Sequence, residues 1–197
     1  MAKELPIIAS PQSGEEPAKQ DVAYSRVFCQ RAETPPLKLL MDFLKAKNQT
    51  PLIPTMDPEA LDDWDWTHIS IGYNRERKPL QLFCVRNKGT YKEVFETEKF
   101  TFLNRLSAHD HMEGEIAREF VTRAHFIATI QMTKNDMTDE GYDFNGWILE
   151  FFQENCDGIV QIDGQGFFSP KGDLVVDMQE ISESPTDGAP TLPAAEA

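Results

Sequence analysis

The densest group of side chains able to hold a metal is His109-Asp110-His111 with Glu113. Two imidazoles and a carboxylate suit a divalent transition metal, so His109, His111 and Glu113 are the metal-ligand candidates. Zinc needs at least three protein ligands held in place. HxH spacing on a helix does not put both rings on one face, and the flanking SAHDHMEGE does not alternate like a strand. Asp110 therefore reads equally well as a helix cap beside two exposed imidazoles.

Three other stretches approach known chemistry and stop short. In DMTDEGYDFNGW, counting Asp136 as position one of a calcium loop puts Thr138 at three, Glu140 at five and Gly141 at six. Position twelve then falls on Trp147, where that loop requires a bidentate Glu, so this is no EF-hand. The GxG of Asp163-Gly164-Gln165-Gly166 feeds Phe167 and Phe168, whereas phosphate cradles feed a helix N-terminus; a bulge or tight turn is expected. In LDDWDW, Asp62, Asp63 and Asp65 surround Trp64 and Trp66, but glycoside hydrolysis needs two carboxylates placed across a cleft. A tryptophan anchor at the entry to a strand is the simpler reading. No Ser/His/Asp or Cys/His constellation can be assembled, and no motif calls for a cofactor.

Charge narrows the partners. Nineteen Lys and Arg against thirty-three Asp and Glu give −14 over 197 residues. Residues 1–21 contribute −2 and residues 177–197 contribute −5, which leaves −7 on 22–176. An acidic chain repels phosphate backbones, so nucleic-acid binding through a basic surface is not expected, and anionic membranes are disfavoured likewise. An acidic inhibitor that mimics DNA is one alternative, with carboxylates spaced along one face. Cys29, Cys84 and Cys156 are odd in number and form no CxxC pair, which supports neither a disulfide framework nor a structural zinc site. Cys29 and Cys84 sit in apolar runs, where a thiol serves as a small buried hydrophobe. No apolar run approaches a signal-peptide core or a membrane span, so a reducing cytoplasm is the expected setting.

The elements fall between two tails. Residues 1–21 and 180–197 are rich in Pro, Gly, Glu and Ser and carry little apolar surface to offset ordering entropy. One domain is expected over 22–179. Residues 24–30 read as a strand, followed by Thr34 as N-cap and by Leu37, Leu40, Met41 and Leu44 as one helical stripe. Residues 50–55 form a short edge piece. Residues 67–73 and 79–86 read as a hairpin. A second half repeats the layout: a strand over 125–133, a helix capped by Asn145 with Trp147, Ile148, Phe151 and Phe152 as its apolar stripe, and a hairpin of 159–168 with 173–178. Between them, 113–123 reads as helix, while 95–106 is ambiguous. The expected fold is α+β, a largely antiparallel sheet with helices on one face, in two strand-helix-strand-strand halves joined by a helical linker.

Alternation then groups the remaining candidates. His68 and Ser70, His125, Thr129 and Gln131, and Gln161 with Asp163 fall on the sheet face opposite the helices. They are polar but mostly uncharged, and such groups desolvate more cheaply than charges. The leading expectation is a soluble, non-catalytic binding protein whose open sheet face takes a protein partner or makes a homodimer. In layout, the paired strand-helix-strand-strand halves resemble the vicinal oxygen chelate family. That resemblance implies a metal-dependent enzyme with a divalent metal among inward-facing His68, His125 and Gln161.

Overall fold

The computed structural model describes residues 21–53 and 61–178. The tails expected at 1–21 and 180–197 lie outside the described residues apart from Asp21, as does the end of the 50–55 piece, whose Leu52 makes an isolated bridge to Gly72.

Among the described residues, seven strands make one antiparallel sheet. They are β1 (Val22–Cys29), β2 (His68–Ile71), β3 (Leu80–Arg86), β4 (Phe126–Thr133), β5 (Gly158–Ile162), β6 (Gly166–Phe168) and β7 (Leu174–Asp177), ordered β2-β3-β4-β1-β5-β6-β7. Among the described residues four α-helices complete the α+β fold: α1 (Leu37–Ala46), α2 (Lys92–Leu106), α3 (Met112–Arg123) and α4 (Asp139–Asn155).

The chain chemistry explains most of these boundaries. Pro35 and Pro36 disfavour helix before Leu37, and the stripe Leu37, Leu40, Met41, Leu44 is buried as its spacing requires. Asn48, at φ 61°, takes the left-handed residue that ends α1. Thr34 does not cap that helix; its buried hydroxyl meets Cys84 Sγ at 3.4 Å. Residues 159–168 are two strands rather than one, because Gly164 (φ 72°) and Gly166 (φ 136°) turn the chain between β5 and β6.

Asn145 is likewise not a cap. Thr138 caps α4 by accepting from Gly141 N at 3.3 Å, so the helix starts earlier than expected. Asn145 instead lies buried in mid-helix and accepts Ser25 Oγ–H at 3.0 Å, which ties α4 to β1. Asn145→Ala is expected to cost about 1–3 kcal/mol, since it leaves a buried hydroxyl unpaired. A urea midpoint that falls with an unchanged slope would show it.

Helices cover both sheet faces, which corrects the expectation of one covered face. On the first face, α1 and α4 pack over Val27, Ile69, Leu82, Ala128 and Ile130, with all three free cysteines in the same core. On the second, Phe95, Phe102 and Leu106 of α2 and Ala117 and Val121 of α3 meet Phe28, Val85, Ile127, Ile159 and Phe167. The reason is apolar demand. Each fully buried Phe stabilises the fold by about 1.5–3 kcal/mol, so a linker with these residues folds down onto the sheet. Phe28 sits edge-on to Phe102 at 5.3 Å and beside Phe167 at 5.9 Å, which pins α2 over the centre.

Candidate functional site

α2 crosses the second face and divides it. On one side lies a polar strip that the strand register builds. Ser70 pairs with Gln81, Gln81 with Gln131, and Gln131 with Tyr24, so four side chains line up across β2, β3, β4 and β1. With strands about 4.8 Å apart the strip runs roughly 14 Å. All four residues are half-buried. Gln81 Oε1 accepts from Ser70 Oγ at 2.8 Å and stands 2.8 Å from His68 Nε2, so part of the strip is held by its own hydrogen bonds. His68 also stacks on Phe83, with ring centroids 4.6 Å apart.

The next rung inward is His68–Phe83–Thr129–Arg26–Gln161, and α2 covers its centre. Arg26 Nη1 donates to Gln161 Oε1 at 2.8 Å and to Asp163 Oδ1 at 2.7 Å. Its Nε stands 2.7 Å from Glu98 Oε2 on α2 as an ion pair off hydrogen-bond alignment, so that contact is electrostatic rather than directed. Phe102 and Tyr24 each lie 5.2 Å from the guanidinium. Burial opposes the charge, and Glu98 and Asp163 more than offset it, so the Arg26 pKa is raised. Burial likewise raises the Tyr24 pKa, against the pull of Arg26. Arg26 is a tie between helix and sheet, with its charge answered locally.

On the other side of α2 is a cleft of about 470 Å³. Arg86 pairs with Phe126 and Phe126 with Cys29, so one step past these rungs Asn87, His125 and Gln30 sit side by side at the ends of β3, β4 and β1. Lys99 of α2 closes the cleft from above. Its ammonium donates to Thr122 O at 2.8 Å and Ala124 O at 3.4 Å, at the end of α3. Desolvation lowers the Lys99 pKa, and Glu96 opposes this more weakly. Glu98 and Lys99, adjacent in sequence, thus face opposite sides of the divider.

The structure distributes the expected site residues unevenly. Ser70 and Gln131 lie in the strip, and His68 reaches its Gln81 from the next rung. Thr129 and Gln161 are on the same face but only 3% and 2% exposed, so the layer above covers them and leaves little surface for a partner. His125 is on the same face at the opposite end, in the cleft. The trio His68, His125 and Gln161 is not gathered: β3, β4 and β1 intervene between His68 and Gln161, or roughly 19 Å at the usual strand spacing.

The His-rich loop is organised by α3. His111 caps that helix, its Nδ1 accepting from Gly114 N at 3.2 Å, and the same nitrogen stands 3.2 Å from Glu113. Glu113 has a lowered pKa, first from its own backbone amide and then from His111. The His109 and His111 rings are 5.7 Å apart at 83°, and His109 Nε2 is buried without a protein partner. Among the described residues no three His, Cys, Asp or Glu side chains are placed to hold a metal ion. Asp110 caps nothing; it faces Arg118 at 3.7 Å.

The tryptophan segment splits its roles. Trp66 is buried and donates to Pro35 O at 2.9 Å, the anchor expected, whereas Trp64 is 54% exposed. Asp65 binds Arg86 Nη1 at 2.7 Å and Lys88 at 2.8 Å beside a smaller cleft of about 390 Å³.

Sequence reasoning missed Tyr24, Arg26 and Gln81 in the strip region, and Gln30, Asn87 and Lys99 in the cleft. Gln81 carried a usable signal, since it is the lone amide in the apolar run of β3. Comparison with known proteins returned no matching family model, no matching curated protein and no matching solved structure. Among the described residues no helix is long and apolar enough to cross a membrane.

Proposed function

We propose that the chain is a non-catalytic binding protein that docks a protein surface, of another chain or a second copy, on the polar strip beside α2. The observation that carries this reading is the four-strand alignment of Ser70, Gln81, Gln131 and Tyr24, uncharged and half-buried, next to an arginine already neutralised by its neighbours. Uncharged polar groups held by internal hydrogen bonds lose little on desolvation, and aromatic and amide side chains suit the centre of an interface. Exposed carboxylates lie on α2 and α3 as well as α4, hence on both layers, which favours this reading over an acidic decoy with one charged face.

Gln131→Arg and Gln81→Arg place a charge in the strip without touching the core. Each is expected to abolish capture of a partner, or to convert a dimer to monomer by light scattering, while circular dichroism stays as in the wild type. Unchanged mass and unchanged capture in both variants would overturn the proposal.

A further inference from the structure

We propose that the cleft on the far side of α2 binds a small oxyanion-bearing molecule, its carboxylate or phosphate head on Lys99 and Arg123 and its remainder over Asn87, His125 and Gln30.

Charge is the first argument. The segment 22–176 carries a net −7, yet Lys99, Arg123 and His125 line this cleft and no carboxylate does. Two fixed cations, Lys99 and Arg123, with no lining carboxylate make a local sink for an anion on an acidic protein. Glu96 acts on Lys99 only weakly, and Glu119 pairs with Arg123 at 2.8 Å among exposed side chains, where such a pair contributes little.

Geometry is the second. Thr122 O and Ala124 O hold two of the three ammonium protons of Lys99, which fixes the side chain and leaves one proton for a ligand. Lys99 also lies 5.2 Å from the Phe95 ring, a further restraint. Because the lysine is already ordered and partly dehydrated, an oxyanion loses less in binding it than in binding a free surface lysine. Below it, two carboxamides flank an imidazole on three neighbouring strands. This row can donate and accept at once, so it suits a polar, hydrogen-bonding body. The cleft's roughly 470 Å³ lies within the range of small-molecule sites.

The test titrates the full chain with sodium benzoate and, separately, inorganic phosphate, at ionic strength held constant with sodium chloride, and follows amide NMR shifts. Benzamide serves as the neutral counterpart of benzoate. Saturable shifts confined to residues around Gln30, Asn87, Lys99 and His125 are expected from at least one of the two anions and not from benzamide. Response to benzoate alone assigns a carboxylate head, to phosphate alone a phosphate. Lys99→Met is expected to weaken binding about tenfold, the loss of one charge-assisted hydrogen bond. His125→Ala, at an exposed position, should weaken it as well and guards against a Lys99→Met variant that disturbs α3. The proposal is overturned by shifts scattered over the surface, by no saturation with either anion, by an equal response to benzamide, or by unchanged affinity in both variants.

Discussion

Replacing Arg26 by methionine destabilises the fold by about 3–5 kcal/mol, because Glu98 and Asp163 lose the cation that faces them under α2. Against a typical total of about 5–15 kcal/mol this is a large share, and the expected readout is a marked fall in the urea midpoint. The size comes from the orphaned carboxylates rather than from the worth of the pair. Glu98 has only 12% of its side chain exposed, so its charge has little water to fall back on. Arg26→Met combined with Glu98→Leu should therefore recover part of the loss, leaving Asp163, at 37% exposure, to solvent. A single variant within about 1 kcal/mol of wild type, the scale of a surface pair, would show that α2 is not held this way.

The second large effect is expected at Gly166. A Cβ there would stand 1.9 Å from the carbonyl oxygen of Val176, and the backbone φ of 136° is one that side chains disfavour. Overpacking and backbone strain together put Gly166→Ala at about 2–5 kcal/mol. Gly164 is the internal comparison: its φ is 72°, but nothing lies within 4 Å of its Cβ position, so Gly164→Ala pays for conformation alone. Hydrogen exchange should accelerate in β6 and β7 for the first variant and not the second. Equal stability of the two would remove the argument from close approach.

Both positions show what could be read before the structure. The turn at 163–166 was legible because glycine spacing and the following phenylalanines exclude a phosphate cradle. The face of β4 was legible too: Phe126, Ala128, Ile130 and Met132 alternate, and all four are buried on the first face. α2 was ambiguous for a physical reason. Its buried residues are Phe95, Phe102 and Leu106, while Phe100 is 67% exposed and Glu98 is drawn inward by Arg26, so the helical period is blurred at both ends of the polarity scale. The site suffered from the same gap. Alternation assigns Thr129 and Gln161 to the correct face, but only the packing of α2 and α3 on that face decides that they are covered, and no local pattern encodes that packing. His125 shows the complementary limit, since parity fixes a face and not a position along the strand.

The strand order carries one more consequence, for how the chain reaches this fold. β1, from the first half, lies between β4 and β5 of the second. Neither half owns a complete sheet: residues 21–123 alone would leave β1 without either neighbour, and β4 and β5 alone would flank a gap. Assembly must bring together segments more than a hundred positions apart, as in the pairing of Val27 with both Ala128 and Val160. Closing loops of that length before their contacts form is what slows folding in chains of high contact order. During synthesis the central strand therefore waits, unpaired, until β4 has left the ribosome about a hundred positions later, and stays half-paired until β5 follows.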